Sequence, residues 1–157
     1  MPAKPRTPET THAPSALADQ MFLAAGPAGR AAVPIWLVEP KSGLEGVPQL
    51  TASHRAWAAA QSFKPASRKT VLLPTPEGGI AGVLTGTVAV PSTPPADPMA
   101  RAELQLGQLA GSLPAGSYRL ATPVADPELA AVAWGLGGYR FRPYKSGDKE
   151  PLPALAM

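Results

Sequence analysis

Residues 113–145 read LPAGSYRLATPVADPELAAVAWGLGGYRFRPYK, and this stretch decides how the rest of the chain is understood. Asp126-Pro127-Glu128 combines a capping side chain, a proline suited to the first helical position and an acid for the first turn. That signal predicts a helix over 127–138, and residues 117–121 ahead of it predict a short strand. Leu129, Val132, Ala133 and Leu136 recur at i, i+3, i+4 and i+7, so this stripe is expected to face the core. The other side carries Ala130, Ala131, Trp134, Gly135 and Gly138, with no charge between Glu128 and Arg140. A helix that is apolar all round must be covered all round. Each glycine in it costs about 1 kcal/mol against alanine, so some neighbour is expected to approach its backbone closely. One sheet face supplies half of the cover. The other half is expected from a further layer, another subunit or another domain, with the Trp134 and Phe141 side left as an exposed apolar patch.

Upstream, residues 33–39 (VPIWLVE) form an apolar run bounded by turn signals and predict a buried strand. Residues 51–63 hold four alanines and no breaker, which predicts a helix capped by Thr51 or Ser53 with Trp57 as its anchor. Residues 70–90 predict a hairpin with strands over 71–73 and 80–90 and a turn over 74–79. Gly82 and Gly86 share one face of its second strand, which suggests a flat cover, most simply a helix. Asp97-Pro98 repeats the cap-proline signal and predicts a helix to about residue 109. Nearer the start, residues 15–24 suggest a helix carrying Leu17 and Met21. Residues 1–14, rich in Pro and Thr and without apolar periodicity, are expected to be a disordered tail.

Composition sets the outer bounds. A chain of 157 residues with 45% hydrophobic content suits one domain. With 21 Pro and 15 Gly it should be built of short elements and many turns. The net charge of +3 is small and the basic residues are scattered, which disfavours nucleic acid as a partner. There is no cysteine, which fits a reducing compartment. No apolar run approaches the ~20 residues that span a bilayer, and the amino terminus lacks a signal-peptide core. A cytoplasmic protein without membrane contact is the expectation.

Catalytic constellations are absent from the pattern. The two histidines, His12 and His54, fall in the tail and on a helix flank, and the eleven Asp and Glu are dispersed. No serine sits in a Gly-x-Ser-x-Gly elbow. Lys64, Lys69 and Lys145 have no neighbour in sequence that would lower a pKa. Gly78-Gly79 and Gly137-Gly138 match no phosphate-loop spacing. The one concentrated cluster is Tyr139-Arg140-Phe141-Arg142-Pro143-Tyr144-Lys145. It could stack on single-stranded bases, but its simpler use is structural, with aromatics anchoring a linker and cations closing the helix. Trp134, Tyr139, Arg140, Phe141, Tyr144 and Lys145 are therefore the expected domain-docking residues, with no catalytic, metal or cofactor residue.

Leu113 to Gly116, Tyr118-Arg119, Leu136-Gly137, Tyr139 to Phe141 and Tyr144-Lys145 resemble the segment that closes the amino-terminal domain of the shorter bacterial leucyl (cytosol) aminopeptidases. The similarity runs upstream through VPIWLVE, the Trp57 helix and LLPTPEGGIAGVLTG, covering about residues 33–145 in order. It implies an α/β fold, a mixed sheet flanked by helices and related in shape to macro domains, over residues 15–145. Residues 146–157 lose the pattern and are expected to be an irregular tail or the start of a linker. Complete enzymes of that family use two divalent metals, such as zinc or manganese, usually in hexamers. Their ligands lie in motifs resembling FDTGG and NTDAEGR, and neither string occurs here. The resemblance thus implies a domain inactive alone, packing against a peptidase domain or subunit, with homo-oligomers possible. The alternative is an autonomous macro-like module binding a nucleotide-type ligand or nucleic acid.

Overall fold

Two sets of apolar side chains, alternating along the central strands, divide the molecule into three layers. The computed structural model describes residues 21–24, 26–88, 90–91, 93–97, 100–139 and 151–156. In chain order the elements are β1 (Phe22–Leu23), α1 (Pro27–Ala31), β2 (Val33–Val38), α2 (Ala52–Ala60), β3 (Thr70–Pro74) and β4 (Ile80–Gly86). Then come α3 (Ala102–Ser112), β5 (Ser117–Leu120), α4 (Pro127–Gly138) and β6 (Ala154–Ala156), with 3-10 turns at Gly43–Gly46 and Pro65–Ser67. The six strands form one sheet in the order β1-β6-β5-β2-β4-β3. All neighbours are parallel except the β3–β4 hairpin. A mixed sheet flanked by helices is the expected architecture.

Parallel strands buried on both faces read as continuous apolar runs, and β2 shows why. Ile35 and Leu37 enter one core with Val83, Leu106, Tyr118, Trp134 and Leu155. Trp36 and Val38 enter the other, with Leu73, Leu84 and Ala58 of α2. Helices α3 and α4 cover the first face and α2 the second. Gly78, at φ 87°, makes the hairpin turn possible, and Thr75 ties that turn by accepting the Gly79 N–H at 2.9 Å.

Several expectations need correction. Helix 15–24 lies outside the described residues up to 20, and beyond Met21 the chain is strand: Phe22 and Leu23 pair with Leu155 and Ala156. Residues 154–156 are likewise not an irregular tail. They form β6, wedged between β1 and β5, with Leu155 fully buried. A three-residue strand preceded by Pro151 and Pro153 offers too little alternation to be read in sequence. The strand beginning at Ile80 stops at Gly86, as does its ladder with β2, and Val88 and Val90 are exposed. Helix α3 runs from Ala102, later than the Asp97-Pro98 signal suggests; the Asp97 carbonyl accepts the Ala100 N–H at 3.0 Å, and Pro98 itself lies outside the described residues. Trp57 is exposed and donates its indole N–H to the Leu72 carbonyl at 3.1 Å, while Ala58 is the buried contact of α2. Thr51 does cap that helix, accepting the His54 N–H. Finally, the glycine face of β4 is the one that α2 covers, yet it is not α2 that comes closest to the two glycines. The Trp36 ring lies over Gly82, and the Pro65 backbone lies against Gly86.

Candidate docking surface and strand-end crevice

Helix α4 is fixed first at its start. Asp126 Oδ1 accepts the Leu129 N–H at 2.9 Å, and its Oδ2 pairs with Arg101 Nη1 at 3.2 Å. The Leu129 N–H, aided by Arg101, holds the Asp126 carboxyl below the ordinary carboxylate value against an opposing desolvation. The Asp126 N–H donates to Glu103 Oε1 at 3.0 Å, so a buried carboxylate of α3 orients the cap of α4. No pattern in the sequence pointed to Glu103.

The inner flank of α4 is Ala130, Ala133, Trp134, Gly137 and Gly138. Gly137 lies directly on the backbone of Gly107, where a Cβ would overlap the α3 carbonyl. A Cβ on Gly107 would stand 2.8 Å from the Ala133 carbonyl oxygen. The close backbone neighbour demanded by the glycines is therefore α3, within this same chain. Gly138 rests on Met21. Trp134 has 0% exposure, donates its indole N–H to the Pro153 carbonyl at 3.3 Å, and tilts against Tyr118 with centroids 6.3 Å apart. Burial raises the Tyr118 phenol pKa, and its hydroxyl donates to the Pro114 carbonyl.

This arrangement inverts two expectations. Trp134 is core, not docking surface, because β6 and Tyr118 enclose it. Of the stripe expected to face inward, only Ala133 is buried. Val132 and Leu136 are 56% and 72% exposed, and Tyr139 beyond them is 57% exposed. The reason is spacing: helices touching backbone to backbone need small residues at the contact, so alanine and glycine turn inward and the larger aliphatics turn out. The signal was in the sequence as Ala133-x-x-x-Gly137 opposite Gly107-x-x-x-Gly111. Among the expected docking residues, Tyr139 is at the surface, while Arg140, Phe141, Tyr144 and Lys145 lie outside the described residues.

A second feature sits at the carboxyl ends of β2, β4 and β5. The connection after β2 leads to α2 on one face, and those after β4 and β5 lead to helices on the other, which opens a crevice at such a switch. The cavity measures about 170 Å³ and is lined by Leu37, Glu39, Ser42, Val90, Pro91 and Thr122 among others. Thr122 Oγ1 accepts the Leu37 N–H at 3.0 Å, and Ser42 faces Glu39 at 3.4 Å. Ligand pockets usually enclose roughly 300–1,000 Å³. This one is small, its ionisable lining group is a carboxylate, and no Lys or Arg lines it. It therefore offers little to a phosphate-bearing ligand.

Among the described residues no group of three or more His, Cys, Asp or Glu side chains is placed to hold a metal ion. Nor is any described helix long and apolar enough to cross a membrane. His54 is half-buried on α2 with its Nδ1 unpartnered, and His12 lies outside the described residues.

The sequence model of the family described as "M17 aminopeptidase, N-terminal domain" matches residues 33–157, and the chain belongs to that family. The matched span includes β6, in keeping with the sheet. The fold is also similar to the 1.8 Å crystal structure of the cytosol aminopeptidase from Coxiella burnetii, with a TM-score of 0.68 and 24% identity. That alignment covers 89% of this chain and 28% of the other, so the chain spans under a third of its structural neighbour. No curated protein is matched by the sequence.

Proposed function

We propose that this chain is a non-catalytic amino-terminal domain that packs against the metal-binding peptidase part of an M17 aminopeptidase, in the same protein or in a partner subunit, and shapes its assembly or access. The observation that carries this reading is the family match over residues 33–157 in a fold that spans 28% of a cytosol aminopeptidase. The sequence adds that neither metal-ligand motif of the leucyl aminopeptidases occurs in these 157 residues. Two divalent metals would supply the family's hydrolytic chemistry by activating a water, and no residue here is assigned to hold them. A cytoplasmic setting is part of the same proposal.

The test is turnover. Purified chain incubated with leucine p-nitroanilide and manganese or zinc should release no nitroaniline above the buffer blank. Release that survives removal of contaminating peptidases would overturn the proposal.

A further inference from the structure

Seven large apolar side chains are exposed among the described residues, and three of them lie on or next to α4: Val132 and Leu136 one turn apart on one arc, and Tyr139 at its C-cap. The others fall in two pairs, Val88 with Val90 beyond β4 and Trp57 with Leu72, where Trp57 already spends its indole N–H on the Leu72 carbonyl. We infer that this outer arc is where the catalytic part of the aminopeptidase seats, a step that rests on the function proposed above. Three features of the arc favour this occupant. Among the described residues it carries no charge but Glu128 at its amino-terminal end, as the buried centres of protein interfaces are depleted of charge. It is pre-organised, because the inner flank is locked on α3 by backbone contact, so little ordering entropy is lost on docking. And it is small.

Size separates the two obvious occupants. A free-standing dimer commonly buries ~800 Å² per partner through about 20–30 residues a side, far more than one short arc provides. A partner joined through the polypeptide acts at an effective concentration in the millimolar range, where a modest apolar face suffices. The matched family is by description an amino-terminal domain, and its solved neighbour has most of its chain beyond the aligned 28%. A segment of that length must be seated somewhere, and among the described residues this arc is an unpartnered apolar surface for it to meet.

The chain has no cysteine, so Glu128→Cys accepts a polarity-sensitive dye at one site beside Val132. Gln61→Cys, at the end of α2 on the opposite face of the sheet, serves as reference. The titrant is the manganese-loaded catalytic part of an M17 aminopeptidase from the same organism, taken to about 1 mM to match the tethered concentration. A blue shift is expected at 128 and none at 61, and Leu136→Glu should weaken the response about tenfold or more. Val132→Glu provides a second variant, and the near-ultraviolet dichroism of Trp134 checks that both remain folded. A response at 61 alone, or one at 128 indifferent to both variants, overturns the assignment of this face while leaving the proposed function standing. Silence at both positions overturns the two together. A concentration-dependent shift at 128 without titrant, abolished by Leu136→Glu, would place a second copy there and overturn the inference.

Discussion

The two flanks of α4 have nearly the same hydrophobicity and opposite fates. On one, Ala130, Ala133, Trp134 and Gly138 are buried. On the other, the aliphatic Val132 and Leu136 stand in solvent. Hydrophobicity alone therefore does not say which side of an apolar helix faces inward. What decides is the distance its neighbour demands. Gly137 on Gly107 brings α3 and α4 to backbone contact, and a leucine at that contact has no room, whereas Trp134 on the same flank packs against Tyr118.

The comparison can be broken most forcefully at Trp134. Replacing it with alanine should empty the inner flank and cost about 3–5 kcal/mol of stability, read as a fall in urea midpoint. Next comes Gly137→Ala, whose Cβ overlaps the Gly107 backbone; about 1–3 kcal/mol should be lost to overpacking, although the substitution raises helix propensity. Stabilisation by that alanine would mean that α3 and α4 are not in backbone contact.

A smaller effect belongs to the cap. Because the folded-state pKa of Asp126 lies below its ordinary value, its stabilising contribution is present above the unfolded value near 3.9 and lost as pH falls through the lowered folded value. Asp126→Asn should therefore flatten the acid limb of a stability–pH curve measured by thermal melts; an unchanged limb would remove the cap from the account. The outer flank closes the series. Leu136→Glu should shift the stability of the isolated chain by no more than about 0.5 kcal/mol. A large loss would mean that Leu136 is already covered.

Much of the fold was legible because its signals are local. The run VPIWLVE, the hairpin around Gly78 and the Asp126-Pro127-Glu128 helix start each carry their own punctuation, and each is where the sequence places it. Elements that depend on distant partners were not legible. β6 is three residues held by β1 and β5, so nothing within 154–156 announces a strand. The side of α4 was misassigned because a periodic stripe was weighed by size and not by the contact distance its glycines imply. Trp36 over Gly82 had the same origin: the glycine spacing told of a close cover but not of its identity. The crevice left no trace in the sequence, since Glu39, Val90 and Thr122 meet only when three strands end side by side.

Hydroxyl-radical footprinting of the chain, alone and with the catalytic part of an M17 aminopeptidase, bears most directly on the central claim. Protection of Leu136 and Tyr139 with Trp57 and Leu72 unchanged is the predicted result. Protection of Trp57 and Leu72 with Leu136 still fully reactive would contradict it.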